Sequence, residues 1–260
     1  GTAASFIFSG LAAGWLGWNW AFGLSALGPA IAVILILVVL KTHNINKDQL
    51  PQTHLLDFRP VFKNREAMSY TLGYVGHSWE LFALRSWIVA FLVFAGAEKT
   101  GLSILSATII AGAASIIGGP ISIIGNELSE RYGRRKTIIV IMVLASLMAM
   151  ITGYSASLSL GAAALFIIIY SGFVMGDSAS LTAGAAGAAV SGYRGATLAV
   201  HSILGFSGAL LGPLSAGLAL DLSGGQSSSH GWVIAFGTIG FGSVMGLISM
   251  IKLGRNSYNT

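Results

Sequence analysis

Asn126-Glu127-Leu128-Ser129-Glu130-Arg131-Tyr132-Gly133-Arg134-Arg135-Lys136 sets four basic residues, two acids and a glycine between two long apolar segments. A basic hairpin between two membrane spans is an orientation signal, because Lys and Arg near span ends are retained in the cytoplasm. The apolar runs on either side are 103–125 and 137–154. A helix needs roughly 20 such residues to cross ~30 Å of hydrocarbon. By the same measure further spans lie near 21–40, 69–95, 159–185, 197–220 and 231–252. The runs are long and lack the alternation of a membrane strand, so the expected fold is an all-α polytopic bundle.

Composition agrees. Hydrophobic residues make up 54% of the 260 and charged residues 9%, with a mean hydropathy of +0.78. A water-soluble domain carries about 25% charged residues, so this chain cannot cover a wet surface. Its 35 glycines suit helices that pack closely in lipid. It has no cysteine, which excludes a disulfide framework or a thiolate metal site. The formal charge of +5 is no nucleic-acid signal, since the basic residues gather in a few loops.

Those loops fix an expected orientation. Lys41, Lys47, Arg59, Lys63, Arg65, the four hairpin cations, Arg194, Lys252 and Arg255 fall on one side, and only Lys99 falls on the other. The C-terminus is therefore expected in the cytoplasm. Trp15, Trp18, Trp20 and Trp232 are expected at the outer interface, a depth that suits an apolar ring with one N–H. Residues 1–14 are apolar but reach only ~21 Å as a helix. They read as a span cut at its start or as a re-entrant or interfacial segment.

The segment 41–67 is long and polar and holds Pro51 and Pro60, so it reads as a linker between 1–40 and 68–260. The hairpin resembles a loop signature of the major facilitator superfamily (MFS) of secondary transporters, G-x-L-a-D-R-x-G-R-[RK]. Leu128, Glu130, Arg131, Gly133, Arg134 and Arg135 carry the match. Asn126 stands in place of the first glycine, with Gly125 one residue early, and Glu130 replaces the aspartate. In that family a cytoplasmic linker joins two six-helix halves. The resemblance implies the end of a first half (one partial and one full span, 1–40), the linker (41–67) and a complete second half (68–260), about seven full spans in all. Gly208-Ala-Leu-Leu-Gly212-Pro213-Leu-Ser-Ala-Gly217 is similar to a G-x-x-x-G-P-x-x-x-G pattern of drug–proton antiporters in the same superfamily. Small residues four apart also let two helices approach, which accounts for it without any antiport.

Charges inside lipid are costly and mark function by default. His77, Glu80 and Arg85 lie in span 69–95. At ~100° per residue His77 is ~60° from Glu80 and ~80° from Arg85, so one broad face could carry all three. The functional reading gives Arg85, His77 and Trp79 to an anionic substrate and Glu80, with Asp177, to proton exchange. The structural alternative is an internal ion-pair network, with Glu80 and Arg85 as partners. Asp177, beside Ser178, Ser180 and Thr182, either faces the same cavity or caps a helix end. His201 is expected to be wet and satisfied near the cytoplasmic interface, and Trp79 and Trp87 are alternatively packing residues. Glu130, Arg131, Gly133, Arg134 and Arg135 form a candidate gating loop, with Arg134, Arg135 and Lys136 placed to meet anionic headgroups.

What the resemblance implies is a secondary active permease, not an enzyme. It would move a small organic solute, an anion by the Arg85 argument, with coupled protons, or act as a drug–proton antiporter. The implied partners are the bilayer of a bacterial inner membrane, the substrate and protons, with no cofactor or nucleic acid, in a monomer when full length. A remote alternative is an intramembrane serine protease using Ser178 and His201. A hydrogen bond between those two side chains would be its minimum requirement. A non-transporting scaffold would lack a central cavity.

Overall fold

The computed structural model describes residues 2–40, 57–97 and 104–254. Most of the linker, Lys99 and Arg255 lie outside them. The described chain is helical: α1 (Thr2–Leu16), α2 (Trp18–Ser25), α3 (Leu27–Val39), α4 (Arg59–Lys63), α5 (Arg65–Ala97), α6 (Ile104–Tyr132), α7 (Arg134–Ser155), α8 (Leu160–Gly176), α9 (Ser178–Gly187), α10 (Arg194–Leu222) and α11 (Ser229–Leu253). Among the described residues seven helical stretches are long and apolar enough to cross a membrane, with Trp18–Val39 and Leu160–Gly187 each counted as one. The short α1 is an eighth, partial apolar helix. The chain is an all-α polytopic bundle.

α5 is the hub, packed chiefly against α10 and α11 and also against α6, α8 and α9. α7 closes the bundle against α8 and α11. The core is aromatic where these helices meet: Phe91 and Phe236 have ring centroids 4.6 Å apart, and Phe91 and Trp232 5.4 Å. Trp232 is therefore fully buried, its indole N–H donating to the Gln226 carbonyl at 2.9 Å, and it is not the lipid-facing anchor expected from the sequence. A start-of-helix Trp looks the same in sequence whether it faces lipid or neighbouring rings. Trp15, Trp18 and Trp20 do stay exposed, around the α1–α2 junction at Gly17.

The glycine pattern on α10 is a packing seam. A Cβ at Gly208 would come within 2.3 Å of the Val75 carbonyl oxygen, and one at Gly212 within 2.3 Å of that of Trp79. Only hydrogen at these positions lets the α5 and α10 backbones touch. Gly212→Leu should separate the helices and destabilise the bundle by ~1–3 kcal/mol or more. A lowered unfolding temperature in lipid nanodiscs would show this, and an unchanged one would refute the seam.

α1 lies along α6, where Gly10 is buried against Thr108 and Gly112 against Ile7. α2 packs on α1, α3 on α2, and no residue of Trp18–Val39 is buried. The basic hairpin is shorter than its polar residues suggest. Helix α6 runs through Tyr132 and α7 begins at Arg134, leaving Gly133 alone as the turn, at φ 96°. An L-residue pays sterically for that region and glycine does not. The expected loop 126–136 is thus two helix ends meeting at one residue.

Candidate functional site

Helix α5 starts where Asn64 caps it: the Asn64 Oδ1 accepts from the Ala67 N–H at 3.1 Å. From there it carries His77, Glu80 and Arg85 to Asp177, Tyr170 and Met175, all in the α8–α9 span. All three thus meet one neighbouring span, as the shared face of the helical wheel allows, although each has its own partner there. Glu80 reaches α11 as well, through Ser243.

Arg85 is half-buried. It lies near Met175, whose sulfur is 3.9 Å from its Nη2, and its guanidinium sits 5.9 Å from the centre of the Phe82 ring. Phe6, Ser115 and Ser171 line the same small cleft. No carboxylate pairs with it among the described residues. The Glu80–Arg85 ion pair offered as a structural alternative is absent.

Glu80 is buried, 1% exposed. Its Oε1 accepts from the Tyr170 hydroxyl on α8 at 2.6 Å, and its Oε2 accepts from the Ser243 hydroxyl on α11. Neutral hydroxyls hold both oxygens, and no cation pairs with it among the described residues. Tyr170 and Ser243 escaped sequence reasoning. Tyr170 had a faint signal, as an isolated hydroxyl in an apolar run, while Ser243 had none.

His77 points to Asp177. Its Nδ1 is 2.8 Å from Asp177 Oδ1, with both side chains buried. Asp177 occupies the joint between α8 and α9, so it is at once a helix-end residue and a buried acid. Tyr74 stacks with His77 at 5.5 Å between ring centres and with His201 at 4.1 Å. His201 is 2% exposed rather than wet, with Nε2 3.4 Å from the Thr182 hydroxyl. The buried His77 Nε2 and His201 Nδ1 have no hydrogen-bond partner among the described residues. Ser178 makes no hydrogen bond to His201, so the pair that a serine protease requires is missing.

Trp79 turns from this group to α11, donating its indole N–H to the Thr238 carbonyl at 3.0 Å. Trp87 donates to the Pro213 carbonyl on α10 at 3.0 Å. Both serve as struts between helices. The structure does not bring Trp79 to Arg85 and His77 through any hydrogen bond or ring contact among the described residues.

The hairpin turns two of its four cations, Arg134 and Arg135, inward. Arg134 donates to Asn126 Oδ1 at 3.0 Å, to the Ser180 carbonyl at 3.2 Å and to Glu130. Ser129 and Ser180 hydroxyls meet at 2.7 Å beside it. Arg135 donates to the Gly254 carbonyl at 2.5 Å and the Ile251 carbonyl at 3.0 Å, at the C-terminal end of α11. Orphan carbonyls at a helix C-terminus favour such a cation. Arg134 and Arg135, expected to meet headgroups, thus have internal partners as well. Arg131 and Lys136 are exposed. Among the described residues no cluster of three His, Asp or Glu could hold a metal ion.

A sequence model of the Major Facilitator Superfamily matches residues 1–213. No curated protein matches the chain significantly. The match covers most of the chain and includes the basic hairpin, the broken α8–α9 span and the α5 site helix. With an apolar all-α bundle and polar side chains inside it, the chain belongs to the Major Facilitator Superfamily of membrane transporters.

Proposed function

We infer that the chain comprises the end of a first membrane half (1–40), a linker (41–67) and the second half (68–260) of a proton-coupled permease for small organic anions. The observation that carries this reading is Arg85, a mid-span guanidinium with no carboxylate paired to it among the described residues. A charge in that position needs a counter-charge, and an anionic substrate supplies one when it binds. Glu80 is assigned the transported proton and Asp177 a second acid role. The two halves rock about a midplane site, as in other transporters built from repeats. The Arg134–Ser180 contact supports a latch at the hairpin, with Glu130, Asn126 and Gly133 shaping it.

The reading places the linker, hairpin and C-terminus in the cytoplasm. A cysteine at Ser227 should react with an impermeant thiol reagent outside intact cells, and one at Lys252 should not. The reverse pattern would invert the topology. Substrate class is tested by uptake of a panel of labelled metabolites into proteoliposomes, with and without an inward proton gradient. Small carboxylates should accumulate under the gradient. Selective accumulation of hydrophobic cations would instead favour drug antiport.

A further inference from the structure

Helix α9 carries three polar pins in addition to its packing, in which Leu181 and Ala185 are fully buried with Tyr70, Met142 and Met250. Its sequence, Ser178-Ala-Ser-Leu-Thr-Ala-Gly-Ala-Ala-Gly187, contains one large apolar residue, Leu181. Its other side chains are small and each buries little apolar area, so the polar contacts add to its placement. At its N-terminal joint Asp177 is bonded to His77. In its first turn Ser180 meets Ser129 and Arg134. Past its last turn the Ala188 carbonyl accepts from Asn64 Nδ2 at 2.6 Å. The preceding α8 is separate, and its apolar residues Ile167, Tyr170 and Val174 lie in the core.

The first pin joins a carboxylate to an imidazole, the side-chain type whose charge ordinarily changes between about pH 5 and 8. The titratable and charged groups around it are Tyr74 and Glu80 on α5, Tyr170 on α8 and His201 on α10, with Arg134 of α7 on the next pin. The unpartnered His77 Nε2 and His201 Nδ1 lie in the same buried group. Orphaned polar atoms at such a place ask for a reason, such as a water or a proton site.

We propose that His77 and Asp177 form a proton-sensitive clasp that fixes α9 as a gate segment, and that opening the clasp releases α9 while α8 stays in the core. This rests on the proton-coupled reading, but its readout needs no transport.

The chain has no cysteine, so Ala183→Cys, exposed on α9, gives a single thiol. Gly161→Cys at the start of α8 is the reference position. In lipid nanodiscs, maleimide labelling at position 183 should vary with pH between about 5 and 8, whereas labelling at 161 should track only the reagent. Asp177→Asn or His77→Gln should each speed labelling at 183 about tenfold, as loss of a charge-assisted hydrogen bond implies, and remove the pH dependence. Exchanging the pair, His77→Asp with Asp177→His, should restore slow, pH-dependent labelling, which a simple folding defect would not do. Labelling at 183 that ignores pH in the parent, or keeps its pH dependence in Asp177→Asn, would overturn the clasp. So would a pH dependence removed by Glu80→Gln instead. If the clasp results hold while no anion is transported, the transport reading fails and the clasp stands.

Discussion

Glu80→Gln should abolish proton-driven accumulation of substrate while leaving counterflow exchange intact. Exchange needs no net proton movement, so it continues when the proton carrier is gone. The substitution is also structurally mild. Tyr170 and Ser243 carry hydroxyls that can donate or accept, and both already bond the carboxyl oxygens. A Gln amide can take the same two partners, so the variant should fold with a melting temperature close to that of the parent. Uptake and counterflow measured on one preparation check this. Full gradient-driven accumulation by Glu80→Gln would remove Glu80 from the coupling step. Loss of counterflow together with accumulation would point to a substrate-binding role instead.

Arg85→Ala should weaken anion binding by about 10- to 100-fold in both assays, the loss expected for a charge-assisted hydrogen bond in a site of low polarity. It should cost little stability, since Arg85 has no carboxylate partner to strand. Arg85→Lys should recover part of the affinity, because the charge returns without the planar fork. Glu80 and Arg85 share no hydrogen-bond partner. The stability losses of Glu80→Gln and Arg85→Ala should therefore add within about 0.5 kcal/mol in the double variant. A larger coupling would revive the ion pair that the structure lacks. Unchanged affinity in Arg85→Ala would end the anion site.

The fold was legible because membrane insertion writes itself in one dimension. Apolar runs set the spans, and each expected span is found with its ends within about four residues, except that α6 runs on through Tyr132. The basic hairpin was legible as a turn between helices, though not as a single glycine. Helix ends rich in Glu, Arg and Asn look like loop in a hydropathy profile, and Arg134 becomes helical because Asn126, Glu130 and Ser180 receive its protons. The site was legible only in its inventory. His77, Glu80, Arg85 and Asp177 stand out because charge is scarce in this chain. Which of them meet depends on contacts far apart in sequence. Asp177 is 100 residues from His77, and Ser243 is 163 from Glu80. The helical wheel of α5 could not supply those partners. Nor could it show that Trp79 and Trp87 are drawn off to carbonyls on α11 and α10.

The central claim, transport of an anion with a proton through Arg85 and Glu80, is tested most directly by proton movement caused by substrate. The intact transporter is reconstituted in liposomes holding a pH-sensitive dye, with no imposed proton gradient, and an accumulated carboxylate is added outside. The account predicts that the lumen acidifies on addition, and that Glu80→Gln and Arg85→Ala each remove the signal. Substrate entry with no change in lumenal pH, or acidification that persists in Glu80→Gln, would contradict it.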